Sequence, residues 1–116
     1  MNLKNIDFKK ENGLVPTIIQ DYKNKEVYML GYMSLNSLKK TIKTKYVYFW
    51  SRSRNQLWLK GKTSNNKLGI KKIFVDCDND TLLIKVKLEG KNVCHSGSLT
   101  CFNKIIKNNN YENNRI

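Results

Sequence analysis

The fold is decided by the stretch Leu82-Leu83-Ile84-Lys85-Val86-Lys87-Leu88. Its first, third, fifth and seventh residues are apolar, and both lysines fall between them. Successive side chains of a strand point to opposite faces, so apolar residues at every second position share one face. The stretch therefore predicts a half-buried strand, with one face on the core and the other toward solvent.

Further strands are predicted before this one. They are apolar, β-branched or aromatic segments bounded by Gly, Pro, Asn or Asp. Their ranges are 13–21, 27–32, 46–50, 56–60 and 68–75. Polar residues 22–26 predict a hairpin turn with Asn24 at its tip. The connections are hairpin-like, which favours a mainly antiparallel sheet.

One helix is predicted among these strands. Ser34 is a suitable N-cap, and Leu35, Leu38 and Ile42 follow at spacings of three and four, which places them on one helix face. About six strands and one helix define an α+β domain.

The bulk properties bound the class of protein. The chain has 116 residues, which fits one domain, and we assign residues 1–107 to it. Residues 108–116 are rich in Asn with little to bury, which predicts a flexible polar tail. No apolar run approaches the roughly 20 residues of a membrane-spanning helix, and the N-terminus lacks a secretory apolar segment. Three cysteines, an odd number, argue against a disulfide framework. We expect a cytoplasmic protein with no membrane partner.

The formal net charge of +13 has two interpretations. One is an anionic partner such as a phosphate, a nucleotide or a nucleic acid. The other is compositional, because 19 of the 22 basic residues are lysines spread over the sequence. Arg52 and Arg54 are more informative, since they fall close together.

Three of the nine acidic residues are Asp76, Asp78 and Asp80. In an extended backbone they would share one face and Cys77 would point to the other. Carboxylates that close repel one another unless a cation or several N–H groups neutralise them, and oxygen-rich clusters suit Mg²⁺. The alternative is an ordinary acidic turn between two strands.

The three cysteines are Cys77, Cys94 and Cys101, and the only histidine, His95, adjoins Cys94. Each cysteine alone is compatible with a small buried hydrophobe. Together with the histidine they suggest a soft-metal site, although the spacing is not that of a zinc knuckle. Zinc held by three thiolates with an open fourth position lowers the pKa of a bound water toward neutrality.

An aromatic and basic segment follows the helix. Aromatic faces stack on a purine, and guanidinium groups match phosphate geometry. The alternatives are a core strand with a solvated turn, and single-stranded nucleic-acid binding. The candidate substrate-binding residues are Trp50, Ser51, Arg52, Ser53, Arg54, Lys60, Thr63 and Ser64.

Taken together, these segments resemble the phosphoribosyl-AMP cyclohydrolase family from about Leu14 to Phe102. The motifs that carry the resemblance occur in the family's order. They are Leu14-Val15-Pro16 with Gln20-Asp21, Val27 to Met33, Trp50-Ser51-Arg52-Ser53-Arg54, Leu57-Trp58 with Lys60-Gly61 and Thr63-Ser64, Asp76-Cys77-Asp78-Asn79-Asp80, Cys94-His95-Ser96-Gly97 and Cys101-Phe102. The chain departs from the pattern between Cys94 and Cys101, where arginines are usual, and over residues 61–65.

The resemblance implies a fold, two metals and a reaction. The fold is an α+β, mainly antiparallel sheet or barrel-like domain with one principal helix in an intertwined homodimer. Zinc, one per subunit, would be held by Cys77 of one subunit with Cys94 and Cys101 of the other, and magnesium by Asp76, Asp78 and Asp80. Water would add at C6 of the N1-ribosylated adenine of phosphoribosyl-AMP, with His95 as the proton shuttle. Arg52, Arg54, Lys60 and magnesium would hold the two phosphates.

Two alternatives stay open at this point. A basic β-rich domain that binds single-stranded nucleic acid would lose affinity steeply as salt rises. A zinc-stapled structural module would unfold on chelation without any loss of catalysis.

Overall fold

The computed structural model describes residues 2–108 and 110–113, with side chains through residue 108. Eight strands and one α-helix follow a short 3₁₀ turn at Leu3–Asn5. The strands are β1 Val15–Asp21, β2 Val27–Met33, β3 Tyr48–Ser51, β4 Gln56–Leu59, β5 Lys67–Val75, β6 Leu82–Glu89, β7 Lys104–Lys107 and β8 Asn110–Asn113, and helix α1 is Leu35–Thr44. A mostly β structure with one helix confirms the α+β class. Closure into a barrel and pairing into a dimer stay predictions.

Four strands form the main sheet in the order β2-β1-β6-β5. The pairs β1–β2 and β5–β6 are antiparallel, whereas β1 and β6 are parallel. The sheet is therefore mainly antiparallel, as predicted, with one parallel pair that no local hairpin pattern indicates. Strands β3 and β4 form a separate hairpin, as do β7 and β8.

Strand β6 lies inside this sheet and has the alternation that its sequence predicts. Leu82, Ile84 and Val86 are fully buried, and Ile19 of β1 joins them in the core. Gly31 of β2 allows the β3–β4 hairpin to approach closely. Any residue with a Cβ atom at this position would place it 2.5 Å from the Phe49 ring. The hairpin thus packs closely against β2.

The predicted helix start is confirmed at Ser34. Its side chain accepts the backbone N–H of Ser37, whose hydroxyl in turn accepts the N–H of Ser34, which makes a reciprocal cap. The helix ends at Lys45, which has a left-handed conformation, with φ of 70°. Leu38 is buried against the sheet.

The second face of the main sheet carries an apolar row that crosses all four strands. Ile18 pairs with Leu30 on one side and with Leu83 on the other, and Leu83 pairs with Phe74. Leu30 and Phe74 remain 44% and 43% exposed. A sheet that is apolar on both faces leaves this outer row available for a partner.

Near the C-terminus, strands β7 and β8 form an antiparallel hairpin. Asn109 and residues 114–116 lie outside the described residues, so flexibility of the tail over 108–116 stays a prediction. Within the described part of the chain, no helix has the length and apolar character needed to cross a membrane.

Candidate active site

The aspartate turn, residues 76–81 between β5 and β6, gathers three carboxylates. Asp76, Asp78 and Asp80 each bring an oxygen within 4.8 Å of the other two. The backbone reverses through Asn79, which has φ of 62°, and the N–H of Asp76 donates to the Thr81 carbonyl at 3.0 Å. The carboxylates therefore converge because the chain turns, whereas the sequence predicts that they share one face of an extended strand.

Local hydrogen bonds hold this turn. Oδ1 of Asp76 accepts the N–H groups of Asp80 at 3.0 Å and Thr81 at 3.1 Å. Lys10 forms an ion pair with Asp80 at 2.8 Å, which neutralises only part of the negative charge. Converged carboxylates favour a bound cation, and an all-oxygen donor set fits a hard divalent ion such as Mg²⁺.

Cys77 lies in the same turn and is exposed. Its Sγ donates to Oδ1 of Asp78 at 3.6 Å, so the thiol faces an aspartate. The prediction that Cys77 points away from its neighbours is wrong, because the extended conformation ends at Val75. The exposed thiol is accessible from outside the chain.

The other two cysteines lie in the cysteine loop, residues 93–101 after β6. The N–H of Gly97 donates to the Cys94 carbonyl at 3.0 Å, and the N–H of Cys94 donates to the Ser98 carbonyl at 3.1 Å. The N–H of Cys101 donates to Tyr28 of β2 at 2.8 Å. This geometry brings the two thiols close enough for each to affect the pKa of the other. His95 is exposed in the same tight turn.

The two thiols have different electrostatic environments. Hydrogen bonds from the Ser96 hydroxyl and backbone lower the pKa of Cys94, and the Cys101 thiol and the Lys60 ammonium add to this effect. Burial and the Cys94 thiol raise the pKa of Cys101 to about 11. The Sγ of Cys94 lies 3.0 Å from the Ser96 hydroxyl. Paired sulfur donors of this kind fit zinc.

Cys77 does not join this pair within one chain. Among the residues that the structure describes, the aspartates are the only group of three or more potential ligands that meet within 4.8 Å. The described chain therefore brings three carboxylates together but does not bring the three thiols together.

A groove of about 400 Å³ lies between β2 and the β3–β4 hairpin. Trp50, Trp58 and Arg52 line it, and the Arg52 guanidinium lies 4.0 Å from the centre of the Tyr32 ring. The groove has the volume of a small-molecule site, which typically spans about 300–1,000 Å³. Its aromatic walls provide stacking surfaces for a base. A second groove of about 470 Å³ shares Trp50 and Arg52.

Comparison with known proteins places the chain in a family. The family model described as phosphoribosyl-AMP cyclohydrolase matches residues 29–103. The chain belongs to the phosphoribosyl-AMP cyclohydrolase family. A relative of that name from Clostridium botulinum (strain 657 / Type Ba4) is 58% identical over 100 residues, covering 86% of this chain and 90% of its own. One from Listeria innocua is 53% identical over 105 residues, covering 90% and 97%.

The part matched by the cyclohydrolase model contains every candidate site residue, and several have informative positions. Thr63 and Ser64 are exposed in the loop after β4, and Ser64 accepts the N–H of Asn66 at 3.3 Å. Arg54 is exposed in the hairpin turn, where its N–H donates to Ser51 at 3.2 Å. The Ser51 and Ser53 hydroxyls lie 3.4 Å apart.

Lys60, which the sequence predicts to be a phosphate ligand, is buried. It is only 7% exposed, and its Nζ donates to the Val93 carbonyl at 2.6 Å. Burial lowers the pKa of Lys60, while the charges of Cys101 and Cys94 oppose that effect.

Sequence reasoning missed three residues that shape the cyclohydrolase site. Tyr32 lies under Arg52, Ser96 bonds the Cys94 thiol, and Thr100 donates to the Val27 carbonyl at 2.7 Å. Ser96 is two residues from Cys94, so its contact with the Cys94 thiol could have been predicted from their closeness in the sequence. The contacts of Tyr32 and Thr100 span 20 and 73 positions, and nothing in the local sequence indicates them.

Proposed function

We propose that the chain is a metal-dependent hydrolase that opens the N1–C6 bond of 1-(5-phosphoribosyl)-AMP in histidine biosynthesis. Family membership carries the proposal, because relatives of 53% and 58% identity over most of the chain have the name of this activity. Water adds to C6, the N1–C6 bond breaks and N1 takes up a proton. The water oxygen becomes the amide oxygen of the formimino-carboxamide ribonucleotide.

Two metals belong to this proposal. Cys77, Cys94 and Cys101 would hold zinc, and the aspartate turn would hold magnesium. Bound zinc supplies Lewis-acid activation of water near neutral pH. The proximity of the Cys94 and Cys101 thiols, each of which affects the pKa of the other, and the convergence of the carboxylates support these donor sets.

A homodimer would complete the thiol set. Cys77 does not meet the cysteine loop of its own chain. A site with three thiols would therefore combine Cys77 with the cysteine loop of a second copy. The outer apolar row supports such a partner, since its ends Leu30 and Phe74 are exposed, its middle residues Ile18 and Leu83 are half-buried, and covering it removes apolar surface from water. Leu30 also lines the groove, so a copy packed there would help to enclose the substrate.

The chain's own residues have distinct roles in the reaction. Trp50 and Trp58 would stack on the purine and exclude water from its faces. Arg52 would bind a substrate phosphate, and Arg54 would add a second cation. His95, exposed next to Cys94, would carry a proton between the attacking water and N1. Ribosylation at N1 makes C6 electron-poor, which is why attack occurs there.

The direct test supplies phosphoribosyl-AMP with zinc and magnesium and follows ring opening by ultraviolet absorbance. The proposal predicts turnover that a chelator abolishes and zinc restores. A protein that holds both metals yet leaves the substrate intact would refute it. Cytoplasmic location is part of the proposal, because reduced thiols are needed.

In this proposal the aromatic and basic residues serve a single nucleotide, and nucleic acid is not a partner. Salt-sensitive binding of oligonucleotides without ring opening would favour the nucleic-acid alternative instead.

A further inference from the structure

Lys60 differs from every other lysine whose side chain the structure describes. It alone is buried, at 7% exposure, while the others are exposed or half-buried. A buried ammonium loses its hydration and must find partners inside the protein. Its partners therefore indicate what it does.

The ammonium lies between the groove and the cysteine loop. Its Nζ donates to the Val93 carbonyl at 2.6 Å, across 33 positions of sequence, and lies 5.4 Å from the centre of the Trp58 ring. Val93 is itself buried and directly precedes Cys94. The ammonium is also near enough for its charge to act on both Cys94 and Cys101.

The cysteine loop is fixed at its two ends by different contacts. At its far end, the Thr100 hydroxyl donates to Val27 at 2.7 Å and the Cys101 N–H donates to Tyr28 at 2.8 Å, which ties that end to β2. At its near end, the bond from Lys60 to Val93 ties the loop to the residue after β4. The Val93 carbonyl takes one of the three N–H donors, and at 7% exposure the buried side chain leaves little of the ammonium open to a substrate phosphate.

We propose that Lys60 is a positioning residue that ties the cysteine loop to the end of β4 and holds Cys94 and Cys101 as a pair beside the groove, and that it does not bind substrate phosphate. The inference deepens the proposed function. Its statement about metal binding rests on that function, whereas its statement about the order of the loop does not. Removing the ammonium loosens the loop first, weakens metal binding as a consequence, and leaves substrate affinity of the loaded enzyme unchanged.

The test compares Lys60→Met with the matched control Lys40→Met. Methionine keeps an apolar stem and removes the donor and the charge. Lys40 is exposed on α1 with its Nζ 5.7 Å from the centre of the Tyr48 ring, so the control loses the same charge and a similar ring contact. Amide hydrogen exchange of the full-length, metal-free protein is followed for residues 93–101. Cobalt is then titrated, and its thiolate charge-transfer absorbance reports binding.

In Lys60→Met we expect exchange in the loop to accelerate roughly tenfold or more, because a buried charge-assisted hydrogen bond is lost. Cobalt affinity should fall about 10- to 100-fold, as for other groups that orient metal ligands. Lys40→Met should match the wild type in both the exchange rate of the loop and the affinity for cobalt. A raised KM for phosphoribosyl-AMP, with loop exchange and cobalt affinity unchanged, would overturn the inference and return Lys60 to phosphate binding.

A measurement on the unsubstituted protein covers the case in which Lys60→Met does not fold. Side-chain ammonium protons are observed by nitrogen-15 NMR. The inference predicts slow solvent exchange for Lys60 alone among the lysines, and rapid exchange at Lys60 would overturn it. If the wild type takes up no zinc or cobalt, the proposed function fails, while loop exchange in metal-free protein still decides the role of Lys60.

Discussion

The aspartate turn and the cysteine loop are both candidate metal sites, and they are built in opposite ways. The turn is held chiefly by contacts within six residues, those of Asp76 with Asp80 and Thr81, to which the distant Lys10 adds an ion pair, and its carboxylates already converge. The loop depends on Lys60 and on β2, which are 33 to 73 positions away, and it holds only two of three thiols. A hard-cation site can therefore be assembled locally, whereas the thiol site depends on tertiary contacts and, in our proposal, on a second chain.

The largest expected effect is in the loop. Cys94→Ala should remove zinc and reduce turnover by about a thousandfold or more, because the activated water is lost. Zinc content is measured by elemental analysis and turnover by ultraviolet absorbance. Ser98→Ala is a suitable control, since Ser98 contacts Cys94 only through its backbone carbonyl. An active, zinc-free Cys94→Ala protein would remove the thiols from the reaction.

A smaller effect is expected in the turn. Asp78→Asn removes one carboxylate charge and should lower turnover about 10- to 100-fold at limiting magnesium, with zinc content unchanged. Added magnesium should restore part of the rate. Loss of zinc in this variant would contradict the expectation, because Asn keeps the Oδ1 atom that the Cys77 thiol contacts.

The two thiols of the loop should also react at different rates. In metal-free protein near pH 8, Cys101 with its pKa of about 11 has a far smaller thiolate fraction than Cys94, whose pKa lies below its usual value. Since the higher pKa also makes the thiolate more nucleophilic, the net difference in alkylation is about tenfold in favour of Cys94. Iodoacetamide labelling with peptide mass spectrometry measures it. Raising the pH should narrow the difference between the alkylation rates of Cys94 and Cys101. Equal alkylation rates at pH 8 would contradict the difference in pKa between the two thiols.

The smallest effect concerns the stability of the turn. Asp76→Ala removes the acceptor of two backbone N–H groups and should lower the free energy of unfolding of metal-free protein by about 1 kcal/mol. Asp78→Asn should cause no such loss, because it relieves repulsion between carboxylates. Urea unfolding of both variants provides the comparison. Equal destabilisation would mean that the turn is not held by Asp76.

The same contrast explains what could be predicted from sequence. Local patterns identified β6 from its alternation, helix α1 from the cap at Ser34, and the aspartate turn as a cluster of carboxylates. The parallel pairing of β1 with β6 and the buried position of Lys60 depend on contacts far apart in sequence. The orientation of Cys77 was predicted wrongly because alternation was assumed to continue past the end of β5 at Val75.

Among the site residues, too, those in recognisable motifs could be predicted and those that act through distant contacts could not. Motif resemblance named Arg52 and Trp50, which the structure places in one groove. It did not indicate Tyr32 beneath Arg52 or Thr100 against β2, since each contact joins elements that meet only after folding.

The central claim is that two chains share their thiols around one ion, and mixing two inactive variants tests it most directly. Cys77→Ala and Cys94→Ala are unfolded together, refolded with zinc and assayed with phosphoribosyl-AMP. A mixed dimer would contain one intact site, so about a quarter of the wild-type activity per site should return at random pairing. Each variant refolded alone should stay inactive. Failure of the mixture to recover any activity, although mixed dimers are present, would contradict the claim.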